Sequence, residues 1–203
     1  MNEYCDTYIK INKENLIKNA EFFKNYTRKK LIAVIKSNAY GHGLLESAKI
    51  LSPVSDTFAV ASLDSALSLR EGGIRHPILV LNPLNIRHME TAADNDIMVT
   101  VNNLDELKEI CEKSYSVPLK IHLKVDTGMN RMGTKTLEGC KEVLRYAGEF
   151  PDVRIIGIYT HYFSSDKKDY SSKQQKYINY ILNSLNYNFE YIHVAATGAA
   201  LNN

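Results

Sequence analysis

Seven short apolar runs punctuate the 203-residue chain, at residues 31–35, 58–61, 78–81, 97–101, 119–125, 155–159 and 191–195. Most are rich in β-branched residues and carry few polar interruptions. Near-continuous hydrophobicity of this kind predicts parallel strands buried on both faces, since a sheet with one wet face would show a period of two. Between the runs the spacing changes to that of helices. Leu63, Ala66, Leu67 and Leu69 leave Asp64, Arg70 and Glu71 on the other side, and Gly72-Gly73 supplies a stop. Leu104, Leu107 and Ile110 repeat the pattern behind Asn102-Asn103, a pair suited to capping a helix start. Leu137, Val143, Leu144 and Ala147 form a third stripe, ended by Gly148 and Pro151, and Tyr177, Ile181, Leu182 and Leu185 a fourth. Residues 15–26 predict an opening helix ahead of the first strand.

Repeated strand–helix units allow two architectures, an open doubly wound sheet or a (β/α)₈ barrel. Seven strands are many for the first and one short of the second, so alternation alone leaves both open. Composition narrows the function classes. A formal net charge of +2 with scattered lysines gives no basic patch of the kind that nucleic acid or an acidic membrane needs. No apolar stretch approaches a membrane span, and residues 1–14 lack the basic-then-apolar order of a signal peptide. Cys5, Cys111 and Cys140 are odd in number and far apart, which argues against a disulfide framework or a metal site. A cytoplasmic protein is the expectation.

The candidate chemistry lies at the ends of the apolar runs. The first run leads into Ala33-Val34-Ile35-Lys36-Ser37-Asn38-Ala39-Tyr40-Gly41-His42-Gly43, a buried strand followed by a lysine and a polar, glycine-containing turn. At the C-terminal end of a barrel strand a lysine projects toward the face where barrel enzymes place their sites. Partial desolvation there favours the neutral amine that Schiff-base chemistry and proton transfer require. A second segment, His122-Leu123-Lys124-Val125-Asp126-Thr127-Gly128-Met129-Asn130-Arg131-Met132-Gly133, puts Lys124 and Asp126 on a strand end and Arg131 on the next turn. Without context, this reads first as a structural ion pair holding the strand end. A third, Gly157-Ile158-Tyr159-Thr160-His161-Tyr162-Phe163-Ser164-Ser165-Asp166, delivers His161 at a strand end, and a fourth, Tyr191-Ile192-His193-Val194-Ala195-Ala196-Thr197-Gly198-Ala199-Ala200, delivers Thr197.

Together these segments resemble, in order, the motifs of the alanine racemase family, from Asp6-Thr7-Tyr8 to Ala200. The resemblance chooses the TIM (β/α)₈-type barrel, incomplete at about seven strand–helix units, with residues 1–203 forming part of the family's N-terminal barrel domain. It implies pyridoxal 5′-phosphate as cofactor, bound covalently at Lys36, with Tyr40 and Thr197 on its phosphate and Arg131 on its phenolic oxygen. Lys124 is the candidate for a carbamate that positions Arg131, and His161 takes a supporting role; no metal is implied. Asn130 stands where the family often has glycine, which implies a stiffened or shifted turn. Ala196 and Gly198 replace an asparagine and an alanine. The family's pattern continues beyond what this sequence matches, into an eighth strand and a C-terminal β-domain that carries the second, opposing base. The implied activity is interconversion of L- and D-alanine, supplying D-alanine for peptidoglycan, in a homodimer, with the present residues weak or inactive alone. A serine racemase of the same family, a non-catalytic pyridoxal-phosphate-binding barrel and a remnant without cofactor affinity are the alternatives. Two bare strand edges further imply marginal stability.

Overall fold

The computed structural model describes residues 8–164 and 167–202, so Cys5, Asp6, Thr7, Ser165 and Asp166 lie outside the described residues. The chain divides into two compact units, 1–78 and 79–203.

The first unit opens with helix α1 (Lys13–Thr27), whose N-cap Asn12 accepts from the amide of Asn15 at 2.9 Å. Strand β1 (Ile32–Val34) pairs in parallel with β2 (Thr57–Val60), in the register Ile32↔Thr57 to Val34↔Ala59. Between them come a short helical segment, α2 (Lys36–Tyr40), and helix α3 (Leu44–Leu51). Helix α4 (Leu63–Glu71) follows, capped by Ser62 and closed at Gly72, as the Gly72-Gly73 stop predicts. Ala48, Phe58, Val60, Ala66 and Leu69 are fully buried and form this unit's core.

Strand β3 (Ile78–Val80) falls at the division. Beyond it, helix α5 (Met89–Asp94) leads to β4 (Ile97–Val101), α6 (Leu104–Cys111), β5 (Leu119–Lys124), α7 (Leu137–Ala147), β6 (Val153–Tyr159), α8 (Lys168–Ser184), β7 (Tyr191–His193) and α9 (Thr197–Asn202). Strands β4 to β7 pair in parallel, each with the next. All of β4 is buried, and in β6 only Arg154 is exposed, which is the continuous burial that the apolar runs predict. Asn103 caps α6 by accepting from the Glu106 amide at 2.9 Å, and the Glu106 carboxylate accepts in turn from the Asn102 amide, also at 2.9 Å. β1 and β7 contrast with the inner strands: Val34 is 40% exposed and Ile192 55%.

β6 carries one residue more than its neighbour. Ile121 pairs with Ile155 but His122 pairs with Gly157, leaving Ile156 as a bulge. A bulge re-aims the side chains that follow it. Here it sets the glycine opposite His122 and Tyr159 opposite Lys124.

No helix among the described residues is long and apolar enough to cross a membrane. The sequence pattern marks the fourth stripe from Tyr177, whereas α8 begins at Lys168, because its polar first turns give no periodic signal. Helices α3, α5 and α9 are short and lie where the sequence shows no extended apolar stripe.

Candidate active site

Lys36 and Tyr40 stand in the first unit, just beyond the C-terminal end of β1. Ile35 still belongs to the ladder, donating its amide to Ala59 O at 2.9 Å. The chain then turns with the opposite hand to an ordinary helix. Ser37, Asn38, Ala39 and Tyr40 have φ of 52°, 54°, 52° and 54°, so α2 is left-handed through four consecutive non-glycine residues. Each such residue costs about 1–2 kcal/mol through crowding of Cβ against the carbonyl, and strain of this kind clusters at functional sites. Local bonds hold the turn. Ala39 N reaches Ile35 O at 2.9 Å, Gly43 N reaches Asn38 O at 3.0 Å, and the Asn38 side-chain oxygen accepts from Leu44 N at 2.8 Å. Gly41, at φ 90°, ends the turn, and nothing lies within 4 Å of where its Cβ would be. Lys36 is half-buried and Tyr40 exposed. The sequence foretells a polar turn here but not its hand; Asn38 is the one residue in it whose type tolerates such a backbone.

In the second unit Lys124 ends β5 at 5% exposure, with Nζ 5.6 Å from the centre of the Tyr159 ring. An ammonium held over an aromatic face is attracted to it, more so away from water. The Tyr159 hydroxyl lies 3.1 Å from Thr100 Oγ1, which itself donates to Val80 O at 2.9 Å. Burial pushes the Tyr159 phenol up to about 12, against smaller opposing pulls from the Thr100 bond and from Arg131. Arg131 is therefore within electrostatic reach of Tyr159, and its side chain is exposed.

The loop carrying Arg131 folds back on the end of β5. Thr134 N donates to Lys124 O at 2.9 Å and Asp126 N to Thr134 O at 3.0 Å. Asp126 Oδ1 accepts from the amides of Gly128 and Asn130, each at 3.0 Å. Gly133 makes the fold-back possible: a Cβ there would lie 2.8 Å from Asp126 N and 3.0 Å from Lys124 O. Asn130 sits at φ 54°, so this position does call for left-handed backbone, and asparagine supplies it in glycine's stead.

Beside Tyr159 lies a pair of histidines to which the sequence assigns no role. His122 is fully buried, and its Nδ1 is 2.9 Å from His193 Nε2. The His193 ring stacks on Tyr159 with centres 4.5 Å apart and planes 8° from parallel. The histidines belong to β5 and β7, with β6 between them, and they meet because Gly157 leaves a gap in the middle strand. A Cβ on Gly157 would lie 2.6 Å from both Nδ1 and Cε1 of His122. Burial lowers His122 to about 3, and desolvation together with the neighbouring His122 takes His193 well below its ordinary value. Both rings are thus neutral near pH 7, and one donates to the other. The signal in the sequence is a glycine in the middle of a buried apolar strand.

His161 follows β6 and is exposed; its carbonyl accepts from Gln174 Nε2 at 3.3 Å. Thr197 is exposed and opens α9. Of the residues singled out from sequence, the second unit sets Lys124 over the Tyr159 ring and Arg131 within electrostatic reach of Tyr159, while His161 and Thr197 follow the ends of β6 and β7. Among the described residues no group of three or more His, Cys, Asp and Glu side chains could hold a metal ion.

Comparison with known proteins identifies the family and the fold. The family model for the alanine racemase N-terminal domain matches residues 11–203. An alanine racemase of Pediococcus pentosaceus is 34% identical over 198 residues, covering 92% of this chain and 53% of its own length. The crystal structure of alanine racemase from Oenococcus oeni superposes with a TM-score of 0.89 at 34% identity, covering 95% of this chain and 57% of that one. A histidine racemase from Leuconostoc mesenteroides superposes at 0.87 and 30% identity, covering 93% and 52%. The chain spans about half the length of the curated relatives it matches. The fold is α/β, a (β/α)₈-type barrel with seven strands.

Proposed function

Because the chain belongs to the alanine racemase family, we propose that it is the cofactor-binding barrel of an amino-acid racemase that interconverts L- and D-alanine. The observation that carries the reading is the left-handed turn Ser37–Tyr40 directly behind Lys36, a strained backbone ending at Gly41 beside open space. Pyridoxal 5′-phosphate fits the donor set on chemical grounds. Its aldehyde needs an amine, which Lys36 offers. Its phosphate needs donors, which Tyr40 and Thr197 offer, and its phenolic oxygen a cation, which Arg131 offers.

When bound, the cofactor supplies an electron sink for the charge left at the substrate Cα. This chain's residues do the rest. Lys36 serves one face of Cα, taking a proton there in one direction of the reaction and delivering one there in the other. Arg131 holds its charge toward the phenolic oxygen, steadied by the fold-back at Gly133. Lys124, buried over Tyr159, is the candidate for carbamylation, which would exchange a positive charge for a negative one in reach of Arg131. His161 keeps the supporting role that the resemblance gives it. Racemisation needs a second group on the opposite face, and the resemblance places that group in a part of the family's pattern that these residues do not match. Alone, then, they bind cofactor and turn over weakly or not at all. In the family reading the working form is a cytoplasmic homodimer that supplies D-alanine for the cell wall.

The test is a titration of the purified chain with pyridoxal phosphate, followed by visible absorbance, with Lys36→Ala as control. A saturable band that disappears in the variant supports the reading; equal, non-saturating absorbance in both proteins overturns it. Racemisation of alanine, serine and histidine on the same sample then reads the substrate side chain, since a histidine racemase shares this fold.

A further inference from the structure

Gln174 lies in α8, outside every motif that points to cofactor chemistry, yet it is only 5% exposed. A buried carboxamide must find partners for its donors and its acceptor. Gln174 finds them all on the loops that follow β5 and β6. Its Oε1 accepts from the Phe163 amide at 2.8 Å. Its Nε2 donates to Thr127 Oγ1 at 3.0 Å and to the His161 carbonyl at 3.3 Å. The orientation of the amide is fixed chemically, because the Phe163 N–H can face only the oxygen. Thr127 Oγ1 also lies 2.8 Å from Thr160 Oγ1, a second tie between the two loops.

The positions of these partners matter more than their number. Thr127 sits between Asp126, whose carboxylate gathers the amides of Gly128 and Asn130, and Arg131 further along the same loop. His161 and Phe163 flank the buried Tyr162. One side chain from α8 thus grips the loop that carries Arg131 and the segment that carries His161. We infer that Gln174 is a positioning residue, setting the Arg131 loop and the His161 segment in one arrangement for the cofactor. The inference rests on the proposed function for what the loops do, but the clamp itself is a statement about this chain alone.

The clamp needs both ends of the amide, so two variants separate its parts. Gln174→Glu keeps the acceptor for Phe163 N–H and loses both donors, turning oxygen toward the His161 carbonyl. Gln174→Leu loses everything. Amide hydrogen exchange on the full 203-residue chain reads each loop directly. In Gln174→Leu the amides of Gly128, Asn130 and Phe163 should exchange roughly fivefold to tenfold faster, while those within β5 and β6 hold. In Gln174→Glu, Phe163 should stay protected and only Gly128 and Asn130 should speed up. Titration with pyridoxal phosphate should show weaker binding or a shifted visible band in both variants. Unchanged exchange at Gly128 and Asn130 in Gln174→Glu overturns the clamp, as does identical behaviour of the two variants at Phe163. Faster loop exchange with unaltered affinity and spectrum overturns the positioning role and leaves a packing residue. If the unsubstituted chain shows no Lys36-dependent band, the proposed function fails while the exchange results still judge the clamp.

Discussion

Gly157→Ala should damage this protein far more than one added methyl group ordinarily does. The new Cβ would lie 2.6 Å from His122 Nδ1 and Cε1 and 2.7 Å from Cγ, well inside contact distance. His122 cannot swing away at little cost: it is fully buried, packed 5.1 Å from the Tyr191 ring, and bonded to His193 at 2.9 Å. Overpacking of this kind costs about 1–3 kcal/mol, and a broken buried hydrogen bond adds about 1–3 kcal/mol for the group left unsatisfied. Alanine recovers about 0.5–1 kcal/mol through its smaller backbone entropy loss. The net loss is about 1–5 kcal/mol, out of a total stability of about 5–15 kcal/mol.

A double-mutant cycle tests the cause and not only the size. Urea unfolding followed by circular dichroism would be measured for the parent chain, Gly157→Ala, His122→Ala and the pair. If the glycine exists to admit the imidazole, its replacement should be nearly neutral once the ring is gone. The interaction energy should then exceed about 1 kcal/mol in the favourable direction. Additivity of the two single effects within about 0.5 kcal/mol would refute the reasoning, because the damage would then lie in the strand backbone and not in the histidine's place.

The same histidine sets a pH dependence. An unfolded chain takes up a proton on His122 below about 6.5, whereas the folded chain resists until about 3. Stability should therefore be full above pH 6.5 and fall as the pH drops toward 3, by about 1.4 kcal/mol per pH unit for that proton. His193, also lowered, adds to the slope in the same direction. Urea midpoints at pH 7, 6 and 5 check this against His122→Ala, whose profile should be flatter; parallel profiles would count against it. At Ser37, exposed and at φ 52°, glycine relieves left-handed strain without uncovering apolar surface. Ser37→Gly should therefore raise the melting temperature by about 2–4 °C for about 1 kcal/mol, and a fall would show that the turn's hand is set by the serine side chain.

Most of the strands were legible because burial on both faces keeps them largely apolar, β5 with Lys120, His122 and Lys124 being the exception. The run at 97–101 coincides with β4, and the run at 119–125 ends one residue beyond β5. Helices were legible where an apolar stripe and a cap coincided, as at Asn103 and α6. The candidate site residues could be named for a different reason: Lys36, Tyr40 and Arg131 stand in long strings whose order resembles a known family. What neither route reached was the left-handed turn, since Ser37, Ala39 and Tyr40 carry no preference for such backbone. Nor did either reach Gln174, which sits among the polar residues of α8's first turns, where a buried amide looks like any solvated one.

The histidine pair shows why that boundary falls where it does. Periodicity assigns each residue a face, and on that reading His122 and His193 lie two strands apart and do not interact. Contact depends on two local irregularities acting together. If the same residues of β6 paired without a bulge, the register Ile121↔Ile155 would continue and set Ile156 opposite His122 and Ile158 opposite Lys124. With it, the partners are a glycine that admits an imidazole and a tyrosine that receives an ammonium. The one-residue shift of register at the bulge therefore fixes both the buried histidine bond and the setting of Lys124. Deleting Ile156 removes the bulge yet leaves Gly157 opposite His122 and Tyr159 opposite Lys124 in one unbroken register, so the histidine bond should survive the deletion. Urea midpoints that fell with pH less steeply than the parent's would show that the histidine bond had been lost, and that register alone does not set it.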